Sequence, residues 1–435
     1  MRRLIANLDA EVRWRRDGRI LSGGPRAAIA GWGSLLRVLA LEEDRLWLPA
    51  PLAAERVVAV PGLARPGLDH GRLDDPPGTP TLRWAQAEHG VSRRAVGDAS
   101  AVAPSLDGEG FDSLSVHRPP SIPSRCRPLE SPAAVDRLAD RLAHLPSPDA
   151  QDSRVEDIAA GVNHRAFGLS LARRLGIAAP GAGMARSIDE IVARLASVAE
   201  GAEPALRWVA KAPWTSSGRD RVWLDSGSSR EQLEATAGAL LRRHGMLALE
   251  PWDDRMDDFG QLLWVADEAL EWLGMHRQRV DARGQFVGVE VPAAGTARDA
   301  LGLTPDEDAA LRSAALAVGD ALHRVGYRGP VGLDARRIRT VDGGTALRRL
   351  GEINARLTIG HLAHALVARL ELQGSAVLAS SGAGARSGAE RVIPLLAPSA
   401  KGGRRGDGLE LRVSAGRRWE ERLGTARRPL GSTRR

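Results

Sequence analysis

Lysine, asparagine and cysteine are almost missing from this chain of 435 residues. Of its 61 basic side chains 59 are arginine, and the two lysines are Lys211 and Lys401. Asparagine occurs only at Asn7, Asn163 and Asn354, and cysteine only at Cys126. A single cysteine excludes an internal disulfide framework and any multi-cysteine zinc site. No uninterrupted apolar run reaches membrane-spanning length, and the opening MRRLIANLDAEVRWRR lacks the apolar core of a signal peptide. A soluble, cytoplasmic protein with no membrane partner is therefore expected. No Ser-His or Cys-His signature of a side-chain nucleophile stands out either.

What is present bounds the rest. The length allows two or three domains, and an apolar fraction of 43% is ordinary for a globular protein. The net charge of +7 would suggest a nucleic-acid partner, but residues 401–435 carry 11 basic and 4 acidic side chains and account for all of it. Residues 1–400 hold 50 charges of each sign. The Gly- and Arg-rich end is expected to be disordered. It could touch RNA or an acidic surface, but a solvated end fits the even balance of the remainder better, so nucleic acid is not the expected partner.

The arginine bias makes Lys211 the sole lysine of the folded part. A site that departs from such a bias needs a compact ammonium in place of a planar fork. Lys211 ends an expected strand, Arg207–Ala212, that enters the polar loop Thr215-Ser216-Ser217-Gly218 before a second strand, Arg219–Asp225. The free N–H groups and hydroxyls of such a loop could cradle a phosphate beside the ammonium. The plainer reading is a hairpin with a surface lysine.

The most informative stretch is Tyr327–Gly360. Two short apolar runs, Val331–Ala335 and Leu350–Asn354, flank the turn signal Val341-Asp342-Gly343-Gly344, which reads as a β-hairpin. Asp334 lies nine residues before Gly343 and Glu352 nine after it, so the two carboxylates are expected to face each other across the strands. Asn354, two residues past Glu352, shares its face. Like charges at such a spacing are destabilising unless neutralised. Two carboxylates and an amide oxygen are ligands that Mg²⁺ accepts. A register one residue different would instead send Asp334 to the other face.

Elsewhere the signals are coarser. In residues 1–150, Arg3–Leu8 and Val57–Val60 read as strands, and Trp32–Leu41, Thr81–His89 and Pro132–Leu145 as helices, which makes an α/β layout with a Pro/Ser-rich boundary near 150. Asn163–Leu175 reads as a helix closed by Gly176, and Thr304-Pro305-Asp306-Glu307 opens another that Gly326 stops. Asp253, Asp254, Asp257 and Asp258 read as a solvated acidic loop. His361 and His364 are expected to pack or hydrogen-bond on a helix after the hairpin. Trp208, Trp214, Trp223, Trp252, Trp264 and Trp272 are expected in core and pocket packing.

From about Asn163 to Leu372 the chain resembles the ATP-grasp superfamily. The resemblance rests on Val209-Ala210-Lys211, then Leu249-Glu250-Pro251-Trp252, then Asp334, then Glu352-Ile353-Asn354-Ala355-Arg356, in that order. It implies a fold of the α/β (α+β) class: an N-terminal α/β domain (1–150), a helical connecting subdomain (151–205), a small nucleotide-binding lobe (206–268) and a large lobe with the metal hairpin (269–375), the two lobes built on antiparallel sheets, with a disordered basic tail (376–435). It implies ATP and Mg²⁺, with Mn²⁺ as a substitute. Lys211 and Arg165 would approach the phosphates, and Ser216, Ser217 and Gly218 would cover them. Glu250 would mark the adenine hinge with Trp252 lining the site, and Asp258 would meet the ribose. Asp334, Glu352 and Asn354 would be the metal ligands, and Arg356, with Lys211, would serve the chemistry. In contrast to some relatives, Gly332 replaces an arginine two residues before the metal aspartate, and the Thr215–Gly218 loop is poorer in glycine.

The implied reaction is activation of a small carboxylate as an acyl phosphate and its capture by an amine, less often a thiol, with a homodimer among the assemblies it allows. A non-catalytic ATP-binding sensor or scaffold of the same fold is the alternative.

Overall fold

The computed structural model describes residues 1–5, 23–70, 81–83, 121–145, 154–199, 207–214, 220–281, 286–381, 390–399 and 408–414. Its first sheet is wholly parallel. Strands β1 (Arg3–Ile5), β2 (Arg45–Leu48), β3 (Gly67–His70) and β4 (Thr81–Arg83) run in the order β3-β2-β1-β4. Leu4, Ile5, Leu46 and Leu48 are buried, as the covered strands of an α/β layer require. Helix α1 (Gly23–Gly33) leads into a 3₁₀ segment, Ser34–Leu39, so the expected helix Trp32–Leu41 is the junction of two elements. Two other expectations fail here. Thr81–Arg83 is a strand, because pairing with β1 outweighs the local helical spacing, and Val57 makes only one isolated bridge, to Leu396.

Next along the chain come β5 (Ser124–Cys126) and helices α2 (Pro132–Ala143), α3 (Arg154–Asn163) and α4 (Arg165–Arg174). His164 divides α3 from α4: its side chain caps α4 by accepting from Ala166 N at 3.1 Å. The helix expected over Asn163–Leu175 is α4, starting two residues later because His164 caps it, and Gly176 closes it at φ +65°; α3 is a further helix before it.

The second sheet is small and antiparallel: β6 (Gly183–Ala185), β7 (Arg207–Lys211), β8 (Arg221–Asp225) and β9 (Leu247–Pro251), ordered β6-β9-β7-β8. Helices α5 (Ile188–Ala199) and α6 (Arg230–His244) cover it through Leu195, Leu233 and Leu241, against Trp208, Leu224 and Leu249. Ser229 and Gln232 form the capping box of α6, and Gly245 ends it at φ +74°.

The third sheet has nine strands. Its main path is β14 (Thr345–Asn354), β13 (Gly329–Arg339), β10 (Asp254–Val265), β11 (Leu270–Val280), β12 (Phe286–Val291), β15 (Ser375–Ser380), β17 (Leu409–Ser414) and β16 (Glu390–Leu396), and β5 joins β11 in parallel. Helix α7 (Pro305–Arg324) packs on one face, where Leu311, Val318 and Leu322 meet Phe259, Leu263 and Leu333. Helix α8 (Ile359–Arg369) and the first domain cover part of the other. Alternation along these strands sends Phe259, Leu263 and Val265 of β10 and Val331, Leu333 and Ala335 of β13 into the α7 core and leaves Asp258, Gly260, Gly332, Asp334 and Arg336 on the opposite face, lining a cavity.

These sheets redraw the expected boundaries. Strand β6, assigned to the connecting subdomain, is part of the small sheet, and α5 packs on that sheet. Strand β10, assigned to the small lobe by a boundary at 268, lies inside the large sheet. The segment from 376, expected as a disordered tail, contributes β15, β16 and β17, with Leu378, Leu409 and Leu411 buried. Residues 415–435 fall outside the described residues. Among the described residues, no helix is long and apolar enough to cross a membrane.

Candidate active site

A cavity of about 280 Å³ opens between the small sheet and the large one, lined from α1, α4, β7, β8, β10–β14 and α8. The hairpin β13–β14 supplies one end. Near its turn the strands pair as Arg339 with Thr345 and Arg336 with Arg348. Continued unbroken, that register would set Asp334 opposite Leu350. An irregularity between Asp334 and Arg336 shifts it by two residues, so that Asp334 faces Glu352, Leu333 faces Ile353 and Gly332 faces Asn354. The two carboxylates and the amide then meet at the cavity.

Each of the three is held by a neighbour. Gln278 Nε2 donates to Asp334 Oδ1 at 2.6 Å, Arg165 Nη2 to Glu352 Oε1 at 3.2 Å and Arg356 Nη2 to Asn354 Oδ1 at 2.9 Å. Burial, and next the facing Glu352 carboxylate, push the Asp334 carboxyl up to about 7 despite the bond from Gln278. Among the described residues no group of three or more His, Cys, Asp and Glu side chains is arranged to hold a metal, so a metal here would need the Asn354 amide as its third protein ligand.

Lys211 and Arg165 share a second acid, Glu250. Lys211 Nζ donates to Glu250 Oε2 at 2.7 Å, and Arg165 Nη1 lies 3.7 Å from Glu250 Oε1. Burial draws Lys211 down to about 8 against the pull of Glu250. The same burial would raise Glu250, but Lys211, Arg165 and Arg336 together hold it down at about 2. Glu250 is only 5% exposed and does not line the main cavity; its side chain fixes Lys211 and Arg165 from behind.

Trp252 and Asp258 do line the cavity, joined by Arg255. The Arg255 guanidinium lies over the Trp252 ring at 4.2 Å and donates to Asp258 Oδ1 at 3.2 Å. Burial raises the Asp258 carboxyl against that pairing. Ser216, Ser217 and Gly218 fall outside the described residues. Every other residue singled out from the sequence, apart from Glu250, lines this one cavity: Arg165, Lys211, Trp252, Asp258, Asp334, Glu352, Asn354 and Arg356.

The acidic cluster is not a solvated loop. The Asp253 side chain is 7% exposed and bound by Arg336 at 3.1 Å and Arg348 at 3.2 Å, and Asp254, Asp257 and Asp258 belong to β10. Arginines that pair with these acids from β13 and β14 draw the segment into the sheet. Of the tryptophans, Trp208, Trp214, Trp264 and Trp272 are core residues, while Trp223 and Trp252 meet edge to face at 4.2 Å beside the cavity.

Several residues were missed. Gln278 and His276 follow from the alternation of β11, a periodicity that could have been extended from the hairpin to its neighbours. Asn163 carried a signal in its scarcity. Its Oδ1 accepts from Ala355 N at 2.9 Å and its Nδ2 donates to Ala355 O at 3.2 Å, which clamps the backbone between Asn354 and Arg356. Gly332 has a steric reason, since a Cβ there would lie 2.5 Å from Thr358 Cγ2.

His276 occupies a slot between the backbones of Gly260 and Gly360, where any added Cβ would run into its ring. Gly260→Ala is expected to cost about 1–3 kcal/mol by overpacking, read as a lowered midpoint in urea with unchanged slope. A midpoint equal to wild type would mean that the ring has room to move.

His276, His361, His364 and His164 are all buried. Burial lowers each: His361 to about 3, His364 and His164 to about 4, and His276 well below its usual value. In the unfolded chain they take up protons near pH 6.5, so the stability they allow is complete above that pH and is lost as pH falls toward their folded values. One such histidine costs roughly 2 kcal/mol at pH 5. His364→Gln should therefore flatten the fall in melting temperature between pH 6.5 and 4.5; an unchanged slope would remove His364 from the acid response.

No family model matches the chain, and no curated protein matches it. Among solved structures it is similar to N5-carboxyaminoimidazole ribonucleotide synthetase from Thermus thermophilus, at 14% identity and a TM-score of 0.45, over 96% of this chain and 94% of that one. It is also similar to N5-carboxyaminoimidazole synthetase from Staphylococcus aureus, solved with ADP, at 10% identity and a TM-score of 0.47, over 90% and 93%. A third is a biotin carboxylase from Campylobacter jejuni, solved as a β-γ-ATP complex, at 12% identity and a TM-score of 0.47, over 95% of this chain and 87% of that one.

Proposed function

We propose that this protein is an ATP- and magnesium-dependent carboxylate–amine ligase of the ATP-grasp type that works through an acyl phosphate. The observation that carries the reading is the convergence, in one cavity, of the buried pair Lys211 and Arg165 with the facing carboxylates Asp334 and Glu352 and the Asn354 amide.

The donor set fits magnesium. Asp334, Glu352 and Asn354 offer three hard oxygens, and a dication would relieve the repulsion between the facing Asp334 and Glu352 carboxylates. Bound there, the ion would supply positive charge to the triphosphate oxygens. The chain's own residues would do the rest. Lys211 and Arg165 are placed to hold phosphate oxygens, Trp252 with Arg255 to flank the base, and Asp258 to accept from the ribose. Arg356 would steady the substrate carboxylate.

A carboxylate oxygen attacks the γ-phosphorus, the bond to the bridging oxygen breaks and ADP departs. The amine nitrogen then attacks the acyl carbon, phosphate leaves, and the amine's proton goes with it. Phosphoryl transfer of this kind depends mainly on positioning and on cations that absorb spreading charge, so no side-chain nucleophile is required.

The test is ADP release by the purified full chain with Mg-ATP against a panel of amino acids and small carboxylates. Release stimulated by particular acids is expected. Protein that binds ATP but shows no stimulation by any acid would be a sensor or scaffold, and the ligase reading would be abandoned.

A further inference from the structure

We infer that the carboxylate taken by this site carries an apolar side chain, aromatic or branched, seated on a wall formed by α1, β11, β12 and the start of α8. The chemistry rests on the ligase reading above; the wall does not.

The floor of the cavity changes character across the large sheet. Arg336 on β13 faces Asp258 on β10, Asp258 faces Gln278 on β11, and Gln278 faces Val289 on β12. Beyond Gln278 on β11 comes Val280, paired with Phe286. From β13, which carries Asp334, to β12 is three strand spacings, or about 14 Å. That span has room for a phosphate group beside Asp334 and then an acid of the length of phenylalanine.

Ile29 and Trp32 of α1 and Ile359 of α8 line the same cavity. The Trp32 and Phe286 rings meet edge to face, with centroids 5.6 Å apart and planes at 62°. Trp32, Phe286 and Ile359 pack on a buried core that includes Val289 and Leu362, so the wall is fixed before a substrate arrives.

Ile29, Trp32, Val280, Phe286, Val289 and Ile359 carry no charge among them. A carboxylate or phosphate pressed against these side chains would lose its hydration without gaining a partner, whereas a phenyl or isobutyl group would leave water for apolar contact. The arginines, the lysine and the acids of the cavity come from α4, β7, β8, β10, β13 and β14 and from Arg356, not from α1 or β12. The polar end suits the nucleotide and the carboxylate, and the far end suits an apolar tail.

Calorimetry on the full chain, with magnesium and a non-hydrolysable ATP analogue, would measure binding of L-phenylalanine, L-leucine, 3-phenylpropionate, L-alanine and L-aspartate. The first three are expected to bind about 10- to 100-fold more tightly than L-alanine, and L-aspartate more weakly still. Equal affinities, a preference for L-aspartate or no binding by any of the five overturns the inference.

Trp32→Ala should weaken L-phenylalanine about tenfold, and Trp32→Phe should recover most of that loss. Should Trp32→Ala fail to fold, Phe286→Leu serves, and an unchanged ratio of phenylalanine to alanine affinity in it counts against the wall. Turnover is read separately with hydroxylamine, which attacks the acyl carbon and displaces phosphate to leave a hydroxamate. Selective binding of the apolar acids without hydroxamate or ADP would overturn the ligase reading and leave the apolar subsite standing.

Discussion

Replacing Lys211 by alanine is expected to weaken Mg-ATP binding about 10- to 200-fold, since a hydrogen bond to a charged group contributes roughly 1.5–3 kcal/mol. The fold should survive, because Arg165 remains 3.7 Å from Glu250 and keeps that buried carboxylate paired. Titration with ATP alongside a melting curve separates the two effects, and unchanged nucleotide affinity in folded protein would remove the lysine from the site. Lys211→Arg should not rescue. The Lys211 side chain is 12% exposed and its ammonium is seated 2.7 Å from Glu250, where a wider planar guanidinium has no equivalent place. Because burial holds Lys211 near 8 in the free protein, binding above that pH requires proton uptake, and affinity should decline as pH rises past 8.

The hairpin carboxylates lead to the second large effect, in which stability and activity move in opposite directions. Asp334 is raised from its ordinary value to about 7, so between pH 4 and 7 the unfolded chain releases a proton that the folded one retains. Stability is therefore lost as pH climbs through that window. Asp334→Asn should raise the melting temperature of the metal-free protein near pH 7, while the apparent magnesium requirement rises at least tenfold and turnover falls 100-fold or more. Glu352→Gln should act in the same direction, but it also deprives Arg165 of its 3.2 Å partner and so gains less stability. Destabilisation of the metal-free protein by Asp334→Asn, with unaltered magnesium dependence, would show that the carboxyl is a structural hydrogen-bond acceptor for Gln278 and nothing more.

Much of the site could be read in the chain because scarcity and periodicity are local properties. One lysine in an arginine-rich body, one asparagine beside Glu352 and carboxylates equidistant from a glycine turn are all visible in one dimension. The facing of Asp334 and Glu352 was nevertheless expected for an incomplete reason. Symmetry about Gly343 assumes a regular ladder, whereas the observed pairing starts two residues out of that register and recovers it through an irregularity. A regular hairpin would have set Leu350 opposite Asp334.

Errors arose where neighbours distant in sequence decide. Thr81–Arg83 is a strand because β1 offers an open edge. The aspartates of 253–258 are drawn into the sheet because Arg336, Arg337 and Arg348 await them there. Strands β15–β17 extend the large sheet where the composition, with its glycines and arginines, pointed to disorder. Local composition carries no information about a free sheet edge.

By itself, the sequence singled out the groups that are proposed to do chemistry: Lys211, Arg165, the two hairpin carboxylates, Asn354 and Arg356. It also set the alternation that puts the acids on one face, since side-chain direction along a strand has a period of two residues whatever surrounds it. Only the tertiary structure decided that Glu250 stands behind Lys211 and Arg165, that Gln278 holds Asp334 and Asn163 the backbone at Ala355, and that the Trp32 and Phe286 rings meet. Those contacts join residues tens to hundreds of positions apart. They exist because sheets and helices bury their apolar faces together, and that packing has no counterpart in the spacing of any one segment.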